Sequence, residues 1–232
     1  MRAPVSVIIP TLNAASGLPD CLGALGEGLE VGLIRELILT DGGSMDETAA
    51  IAEAAGAIWL AGSAGRGAQI ARGVAASQGA WLLILHADTV LEAGWSRAVL
   101  DHIKSAPTKA GFGQLAFAAR GAAPRLVAGW ANLRARLFGL PYGDQALLVA
   151  AETLATAGGY PELPLMEDVA LARALRGQLV PLGFTALTDA QKYETEGWVL
   201  RGGKNLWLLM RFFCGADPAA LAQLYRRSDR SS

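Results

Sequence analysis

The sequence predicts an α/β fold, a single domain with a mostly parallel central sheet flanked by helices and a helical tail. Short apolar runs alternate with segments of helical periodicity across residues 4–104, as in βαβ units. The run Trp81–Leu85 is apolar throughout, which is typical of a strand covered on both faces. Hydrophobic residues make up 52% of the 232 residues, enough for one large core.

The first half of the chain supplies this alternation in order. We expect strands over residues 5–10, 36–40, 57–60 and 81–85, where apolar runs end at Pro, Gly or polar residues. Between and after them we expect helices over residues 16–29, 44–55, 65–77 and 94–104. Ser44 and Glu47 have the spacing of a capping box, which places the start of the second helix at Ser44.

The second half is less regular. It predicts strands over residues 111–118, 146–150, 179–182 and 184–188. It predicts helices over residues 124–138, from 167 to before 177, and from 198 onward. We divide the single domain into an N-terminal half (4–104), a second half (105–190) and a helical tail (191–232).

Polar residues follow three of the predicted strands. Asn13 follows the first, Asp41 the second, and His86 and Asp88 the fourth. The carboxyl ends of parallel strands share one sheet edge, where open α/β sheets bind ligands, so we expect these side chains to converge. One carboxylate such as Asp88, together with substrate phosphates, suits Mg²⁺. The competing interpretation is that Asp88 only caps the next helix.

Two glycine-containing loops each precede a predicted helix, Asp41–Ser44 and Gly65–Gln69. Glycine lets the backbone approach a ligand closely, and a helix start offers free N–H groups to a phosphate. Arg66 adds a charge that suits a diphosphate. A plain turn and a surface arginine remain alternatives. Ile70 stands where a dinucleotide fingerprint needs its third glycine, which argues against a Rossmann oxidoreductase.

Two acidic segments stand out in the second half. Asp144 lies in Gly143–Gln145 before a predicted strand, and Glu167 and Asp168 begin a predicted helix. A carboxylate fixed beside a sugar-binding cleft can remove a proton from an attacking hydroxyl. Acidic residues in a first helical turn also simply complement the helix dipole, and this alternative stays open.

Five motifs occur in an order that resembles the family 2 glycosyltransferases, which have a GT-A fold. They are Val7–Asn13, Asp41–Ser44, Gly65–Gln69, His86–Asp88 and Glu167–Asp168. The sequence is most similar to a short bacterial subgroup that has His-Ala-Asp where its relatives have Asp-x-Asp.

This resemblance implies an inverting transfer of sugar from a UDP- or GDP-sugar to an acceptor hydroxyl, assisted by Mg²⁺ or Mn²⁺. It implies that Asp88 holds the metal and that Asp168 is the catalytic base, with Glu167 beside it. The donor side would comprise Pro10, Thr11, Asn13, Asp41, Gly42, Ser44, Arg66, Gln69 and His86. The acceptor side would include Asp144, Gln145 and Lys192.

Two departures from the family pattern keep a second function open. His86 replaces an acid, and Gln191-Lys192-Tyr193 stands where the subgroup often has Arg-Arg-Trp, so a bidentate guanidinium is lost. The chain is therefore either an enzyme or a nucleotide-sugar-binding partner with little catalysis. A nucleotidyltransferase is disfavoured, because no glycine- and arginine-rich loop follows the first strand.

Charge, cysteine content and the N-terminal sequence indicate the partners and the cellular compartment of the protein. The net charge of −1 gives no general attraction to nucleic acid. The two cysteines lack metal-site spacing, and the start lacks a signal-peptide pattern, so we expect a cytoplasmic protein. The sequence does not indicate an oligomeric state.

The predicted tail helix has the basic and apolar pattern of a helix that binds a membrane surface. Arg201, Lys204 and Arg211 share one face of the predicted helix, whereas Leu206, Trp207, Met210 and Phe213 lie largely elsewhere. From Gly197 to the end there are six basic residues against two acidic ones. Such a helix can lie on anionic lipid at the inner face of the cell membrane and serve a lipid-linked acceptor. The alternative is that it packs on the domain.

Overall fold

The computed structural model describes residues 3–229, and side chains as far as residue 225. Arg230 and the side chains of Arg226, Arg227 and Asp229, which enter the charge count of the tail, lie outside the described set. The strands are β1 (Val5–Thr11), β2 (Ile34–Asp41), β3 (Ile58–Ala61), β4 (Trp81–Ile84), β5 (Thr89–Leu91), β6 (Ala110–Phe117), β7 (Leu147–Ala150) and β8 (Leu179–Thr188). The helices are α1 (Leu18–Ala24), α2 (Gly26–Glu30), α3 (Thr48–Ala54), α4 (Arg66–Ala76), α5 (Trp95–Ser105), α6 (Ala122–Phe138), α7 (Ala151–Thr156), α8 (Glu167–Ala174), α9 (Gln191–Glu196), α10 (Trp198–Phe213) and α11 (Pro218–Asp229).

All eight of these strands belong to one sheet, in the order β3-β2-β1-β4-β7-β6-β8-β5. β3, β2, β1 and β4 are parallel to their neighbours within this group, and β6 is parallel to β8. β7 runs antiparallel to β4 and β6, and β5 runs antiparallel to β8. The predicted α/β class with a mostly parallel sheet flanked by helices is confirmed.

The central strand β4 is buried on both faces, as its unbroken apolar run predicts. Trp81 and Leu83 belong to the apolar cluster on one face, and Leu82 and Ile84 to the cluster on the other. Because β1, β2 and β4 are parallel, their carboxyl ends lie at one edge of the sheet. This edge carries the polar residues that the sequence singles out.

The helix predicted over residues 16–29 is two helices, α1 and α2, which break at Leu25. Four glycines within this stretch lower its helix propensity. Gly28 also lies against the ring of Trp95, and a Cβ at this position would stand 2.6 Å from the ring. The contact requires glycine in α2 even though glycine weakens the helix.

The capping box predicted at Ser44 is wrong, because α3 begins at Thr48. The carboxylate of Asp46 accepts the backbone N–H of Thr48 at 3.1 Å and its hydroxyl at 2.5 Å. Ser44 instead donates its hydroxyl to Asp41 at 2.5 Å. The Ser44 side chain thus fixes a loop before the helix.

Three further differences concern short elements. The two strands predicted over 179–182 and 184–188 form one strand, β8. The sequence analysis missed β5 and α7, which are too short for hydrophobic periodicity to reveal.

No helix within residues 3–229 is long and apolar enough to cross a bilayer.

The helical tail predicted from Trp198 onward is confirmed as α10 and α11. The expected solvent-facing basic side of α10 is not formed by all three residues. Arg201 is buried and donates to Glu196, and the Lys204 ammonium lies 3.5 Å from the same carboxylate. Arg211 alone among the three is exposed. The fold brings Glu196 of α9 against α10, which the helical spacing does not reveal.

Candidate active site

A cleft opens at the carboxyl edge of β4, between the sheet and the tail helices. Seven of the residues predicted from the sequence line it: Arg66, His86, Asp88, Asp144, Glu167, Asp168 and Lys192. The structure therefore brings the predicted metal, diphosphate and base residues into one place.

Asp88 lies in the turn between β4 and β5 and is exposed to the cleft. Thr89 in β5 pairs with Thr188 in β8, so Asp88 and Asp189, which neighbour this pair, lie at the same end of the ladder and both line the cleft. Partial desolvation by the cleft walls raises the pKa of the Asp88 carboxyl, although Lys192 works in the opposite direction.

This carboxylate pair decides whether the site fits a divalent cation. No group of three or more His, Cys, Asp or Glu residues among residues 3–229 is arranged to hold a metal ion alone. Mg²⁺, however, is usually held by one or two carboxylates with substrate phosphates completing its shell. Asp88 with Asp189, next to the cations Arg66 and Lys192, fits that arrangement.

His86 lies deeper than Asp88, beneath Gly143. A Cβ on Gly143 would stand 2.5 Å from the Nε2 atom of His86, so glycine is required here. No described residue bonds Nε2, which is buried. Burial lowers the pKa of His86 well below its ordinary value, and the charges of Arg66 and Lys192 lower it further. The imidazole is therefore neutral at pH 7.

Arg66 begins α4 and reaches across the cleft to Glu167 at the start of α8. Its Nη1 lies 3.6 Å from the buried Oε1 of Glu167, an ion pair longer than a hydrogen bond. Burial and the neighbouring Asp168 raise the pKa of Glu167 to about 7, while Arg66 opposes that shift. The guanidinium is half exposed, so it can also receive an anionic ligand.

Asp168 is fixed by two backbone groups. Its Oδ2 accepts the N–H of Gly143 at 2.9 Å, and its Oδ1 accepts the N–H of Val169 at 2.7 Å. The residue before this pair, Met166, adopts a left-handed conformation (φ 64°), which turns the chain into α8. The carboxylate therefore has one orientation, as a catalytic base requires.

Asp144 follows Gly143 in a short 3₁₀ turn. Its Oδ1 is buried and meets no hydrogen-bond donor among the described residues. Burial raises the pKa of Asp144 to about 6, and Asp168 adds to this, whereas Arg134 opposes it. A buried carboxylate without a donor is costly, which marks this group as a candidate for chemistry.

The predicted nucleoside-binding residues form a separate cluster beside the cleft. Asp41 accepts hydrogen bonds from the hydroxyls of Thr11 and Ser44 and from the N–H groups of Gly43 and Ser44. Burial would raise the pKa of Asp41, but these bonds outweigh it and hold the pKa below its ordinary value. Asn13 accepts the N–H of Met45, and its own N–H donates to Ser44.

The same cluster includes Pro10 and Gly42, which flank Thr11 and Asp41 on β1 and β2. The N–H of Gly42 donates to the carbonyl of Thr11 at 2.9 Å, which joins the ends of the two strands. A Cβ on Gly42 would stand 3.1 Å from Ala64, so the turn lies tightly against the loop that leads to Arg66. The cluster thereby lies next to the part of the cleft that Arg66 lines.

Two predicted ligand-binding residues brace the site from beneath instead. Gln69 is buried and donates to the carbonyls of Thr11 (2.8 Å) and Thr40 (2.7 Å). Gln145 is fully buried and donates to the carbonyl of Gly113 at 3.2 Å. Neither side chain lines the cleft, so the prediction that Gln145 faces the acceptor has no support in this geometry.

Several cleft residues were missed from the sequence. Asp189 directly follows a predicted strand, the same signal that singled out Asp88, so it was open to prediction. Tyr142 and Tyr193 also line the cleft, but no local pattern distinguishes them from core aromatics. Burial raises the pKa of Tyr142 to about 12, so its hydroxyl stays protonated.

A family model described as "Glycosyl transferase family 2" matches residues 6–123, which is half of the chain. The chain belongs to glycosyl transferase family 2. The resemblance predicted from the five motifs is thereby confirmed. The matched region includes β1, β2 and β4 and the loops that carry Asp41, Arg66 and Asp88.

Among curated family members, the chain is similar to PGL/p-HBAD biosynthesis glycosyltransferases of Mycobacterium tuberculosis and Mycobacterium bovis. The identity is 40% over 99 residues, which cover 39% of this chain and 38% of those proteins. The chain therefore matches less than two fifths of the length of these relatives.

Solved structures share the GT-A fold. TarS of S. aureus in complex with UDP-GlcNAc has a TM-score of 0.60 at 15% identity, covering 80% of this chain and 58% of that one. Glucosyl-3-phosphoglycerate synthase from Mycobacterium tuberculosis, in complex with Mn²⁺, UDP and glucosyl-3-phosphoglycerate, has a TM-score of 0.55 at 20% identity. That match covers 80% of this chain and 70% of the synthase. The predicted fold is confirmed.

Proposed function

We propose that this family 2 chain is an inverting glycosyltransferase that moves a sugar from a nucleotide-diphosphate sugar to an acceptor hydroxyl, assisted by a divalent cation. One observation carries the proposal. A single cleft joins a diphosphate-binding side, with Asp88, Arg66 and Lys192, to a proton-accepting side with Asp168 and Asp144. Neither side alone distinguishes transfer from binding, whereas the two together are what transfer needs.

The donor would bind along the sheet edge. Its nucleoside would meet the cluster of Thr11, Asp41 and Ser44, and its diphosphate would meet Arg66 and Lys192. Family membership supports a nucleotide sugar, as do the neighbours that were solved with UDP-GlcNAc, UDP and Mn²⁺. The nucleobase of the donor is uracil or guanine, and a panel of UDP- and GDP-sugars distinguishes the two.

Transfer would be one displacement. The acceptor oxygen bonds to the anomeric carbon as its proton passes to Asp168, and the bond from carbon to the diphosphate oxygen breaks with its electron pair. Attack from the face opposite the leaving group inverts the configuration. A bound cation, held by Asp88 with Asp189, would supply positive charge to the departing diphosphate. Arg66 and Lys192 are the chain's own charges on that side.

Glu167 would act through Arg66. The ion pair of 3.6 Å orients the guanidinium toward the cleft while leaving half of it exposed. Glu167 is therefore a positioning residue, and Asp168 beside it is the group placed for proton transfer. Two backbone N–H groups hold Asp168, so its orientation does not depend on the donor.

Asp168→Asn tests the proposal, because it keeps the size of the side chain and removes the proton acceptor. We measure release of nucleoside diphosphate from a panel of UDP- and GDP-sugars, with lipid and aqueous extracts as the source of acceptor. Turnover should fall about 10²-fold or more, while the donor dissociation constant changes less than about threefold. Glu162→Gln, an exposed acid in the loop before α8, is the matched control and should behave as the parent.

Two outcomes contradict the proposal. Turnover of Asp168→Asn within a few-fold of the parent would assign the base to another residue. Tight donor binding without turnover above background, for every donor and extract, would instead favour the alternative, a nucleotide-sugar-binding partner with little or no catalysis.

A further inference from the structure

The long helix α6 exposes an apolar stripe. Leu126, Trp130, Leu133 and Leu137 follow one another at spacings of four, three and four residues, which places them on one helical face. All four are among the exposed large hydrophobic residues, and Leu137 is 67% exposed. The buried face of the same helix is formed largely by small residues, which include Ala128, Ala131 and Ala135. The larger apolar side chains of α6 therefore face solvent.

Helix α10 repeats this arrangement. Val199, Leu206, Met210 and Phe213 recur at spacings of seven, four and three residues, and again lie on one face. Met210 is 60% exposed. Trp207 lies beside the stripe and is 48% exposed. Contiguous exposed apolar surface of this kind marks an interaction site, whereas single exposed residues do not.

The two stripes meet, because α6 and α10 pack against each other. An apolar groove of about 430 Å³ runs between the helices, and Trp130 and Leu206, one from each stripe, line it. We call the two stripes and this groove the α6–α10 face. The groove also shares Tyr142, Asp144 and Tyr193 with the catalytic cleft. The α6–α10 face therefore leads directly to the acceptor side of the site.

The charged residues of the two helices have one sign, whereas Asp144 at the inner end of the groove is acidic. Neither α6 nor α10 contains an Asp or Glu residue, although the whole chain has a net charge of −1. Arg125 and Arg136 of α6 and Arg211 of α10 are exposed beside the stripes. The Arg211 guanidinium lies 5.4 Å from the ring centroid of Trp207, so cation and aromatic ring form one amphipathic edge.

We propose that the α6–α10 face docks on the surface of an anionic lipid bilayer. Apolar stripes with half-exposed tryptophans and a cationic edge fit the headgroup boundary, where apolar groups enter the acyl region and arginines meet anionic headgroups. On the proposed function, such docking opens the groove toward the hydrocarbon, so that an amphiphilic acceptor reaches Asp144 without leaving the bilayer. The cationic edge disfavours a second copy of the chain as the occupant, since a twofold contact sets arginines against arginines.

Vesicle flotation tests the proposal on the full chain. The probes are vesicles of phosphatidylcholine with phosphatidylglycerol, and vesicles of phosphatidylcholine alone, at about 50 mM and about 500 mM salt. The parent should float with the anionic vesicles at low salt, less at high salt, and least with neutral vesicles.

Charge and apolar contributions are separated by matched variants. The double variant Leu137→Glu/Met210→Glu places acids at exposed positions and should reduce vesicle partitioning at least about tenfold. Arg136→Gln should reduce it about fivefold on anionic vesicles and leave the neutral vesicles unchanged. Leu29→Glu on α2 (Leu29 is 62% exposed) and Lys104→Gln on α5 are the controls, and both should float as the parent does.

Three results would overturn the docking proposal. The first is that the parent does not float with anionic vesicles at low salt. The second is that the double variant floats to the same extent as the parent. A parent that is dimeric by light scattering, with a monomeric double variant, would assign the α6–α10 face to a contact between copies. Donor binding by calorimetry needs no lipid, so failure of docking with intact donor binding leaves the proposed transferase standing.

Discussion

Replacing Asp144 with asparagine should make the protein more stable at neutral pH. In the folded protein Oδ1 of this partly buried carboxyl is inaccessible and meets no donor among the described residues, and desolvation raises the pKa of Asp144 from 3.8 to about 6. The folded state therefore binds this proton more tightly than the unfolded chain does. Stability due to Asp144 is fully present below about pH 4 and is lost as pH rises toward 6.

The raised pKa of Asp144 gives the size of the expected difference in the free energy of unfolding. A shift of about two units, at about 1.4 kcal/mol per unit, corresponds to about 3 kcal/mol lost at pH 8. Asparagine is neutral in both states, so Asp144→Asn should exceed the parent by up to about 3 kcal/mol at pH 8. At pH 5 the advantage should shrink to about half, because the parent carboxyl is then mostly protonated when folded. The charge of Arg134 opposes the shift and is already included in the pKa.

Urea unfolding at pH 5 and pH 8 measures this difference. The melting temperature of Asp144→Asn at pH 8 should also exceed that of the parent by about 6–12 °C. Asp101→Asn is the control, because Asp101 is an exposed acid on α5 and should change stability by less than about 0.5 kcal/mol. The raised pKa of Glu167 affects parent and variant alike, so it cancels in the comparison. A variant that is equal to or less stable than the parent at pH 8 would refute the reasoning.

Two further predictions concern the donor side. Asp88→Ala should abolish the gain in donor affinity that Mn²⁺ gives, with affinity in EDTA unchanged, and a Mn²⁺-dependent gain as large as the parent's in calorimetry would contradict the metal assignment. Gly67→Ala should destabilise the protein by about 1–3 kcal/mol and lower turnover, because a Cβ would stand 2.5 Å from the Pro161 carbonyl oxygen in the loop that leads to Glu167. Gly23→Ala in α1, where a Cβ meets nothing within 4 Å, is its control and should be neutral or stabilising.

The parts of the site that the sequence predicts are those with a local cause. An unbroken apolar run defined β4, and the polar residues at its end, His86 and Asp88, therefore had to lie at the ligand-binding edge. The βαβ alternation similarly predicted that β1 and β2 deliver Asn13 and Asp41 to the same edge, where both residues bond Ser44. In each case the hydrophobic period identifies the strand, and the right-handed connection between parallel strands leaves few possible topologies for the sheet.

The missed parts depend on partners far apart in the chain. Gln69 and Gln145 look like ligand-binding residues beside glycines, yet each is bonded to backbone groups that only the folded sheet brings near. Arg201 fits a basic helical face by its spacing, but Glu196 and Tyr225 surround it in the folded tail. A long-range hydrogen bond or ion pair leaves no periodic signal along the sequence.

The cleft combines cations that suit a departing diphosphate with carboxylates that suit proton transfer. Arg66 and Lys192 line it together with Asp144, Glu167 and Asp168, and the Arg66 guanidinium lies 3.6 Å from Glu167. Burial, and to a smaller extent the like charge of Asp168, raises the pKa of Asp144 to about 6 and that of Glu167 to about 7. Packing alone would replace such carboxylates with neutral or apolar residues. Carboxylates placed in a cleft at a cost to the stability of the fold are candidates for chemistry.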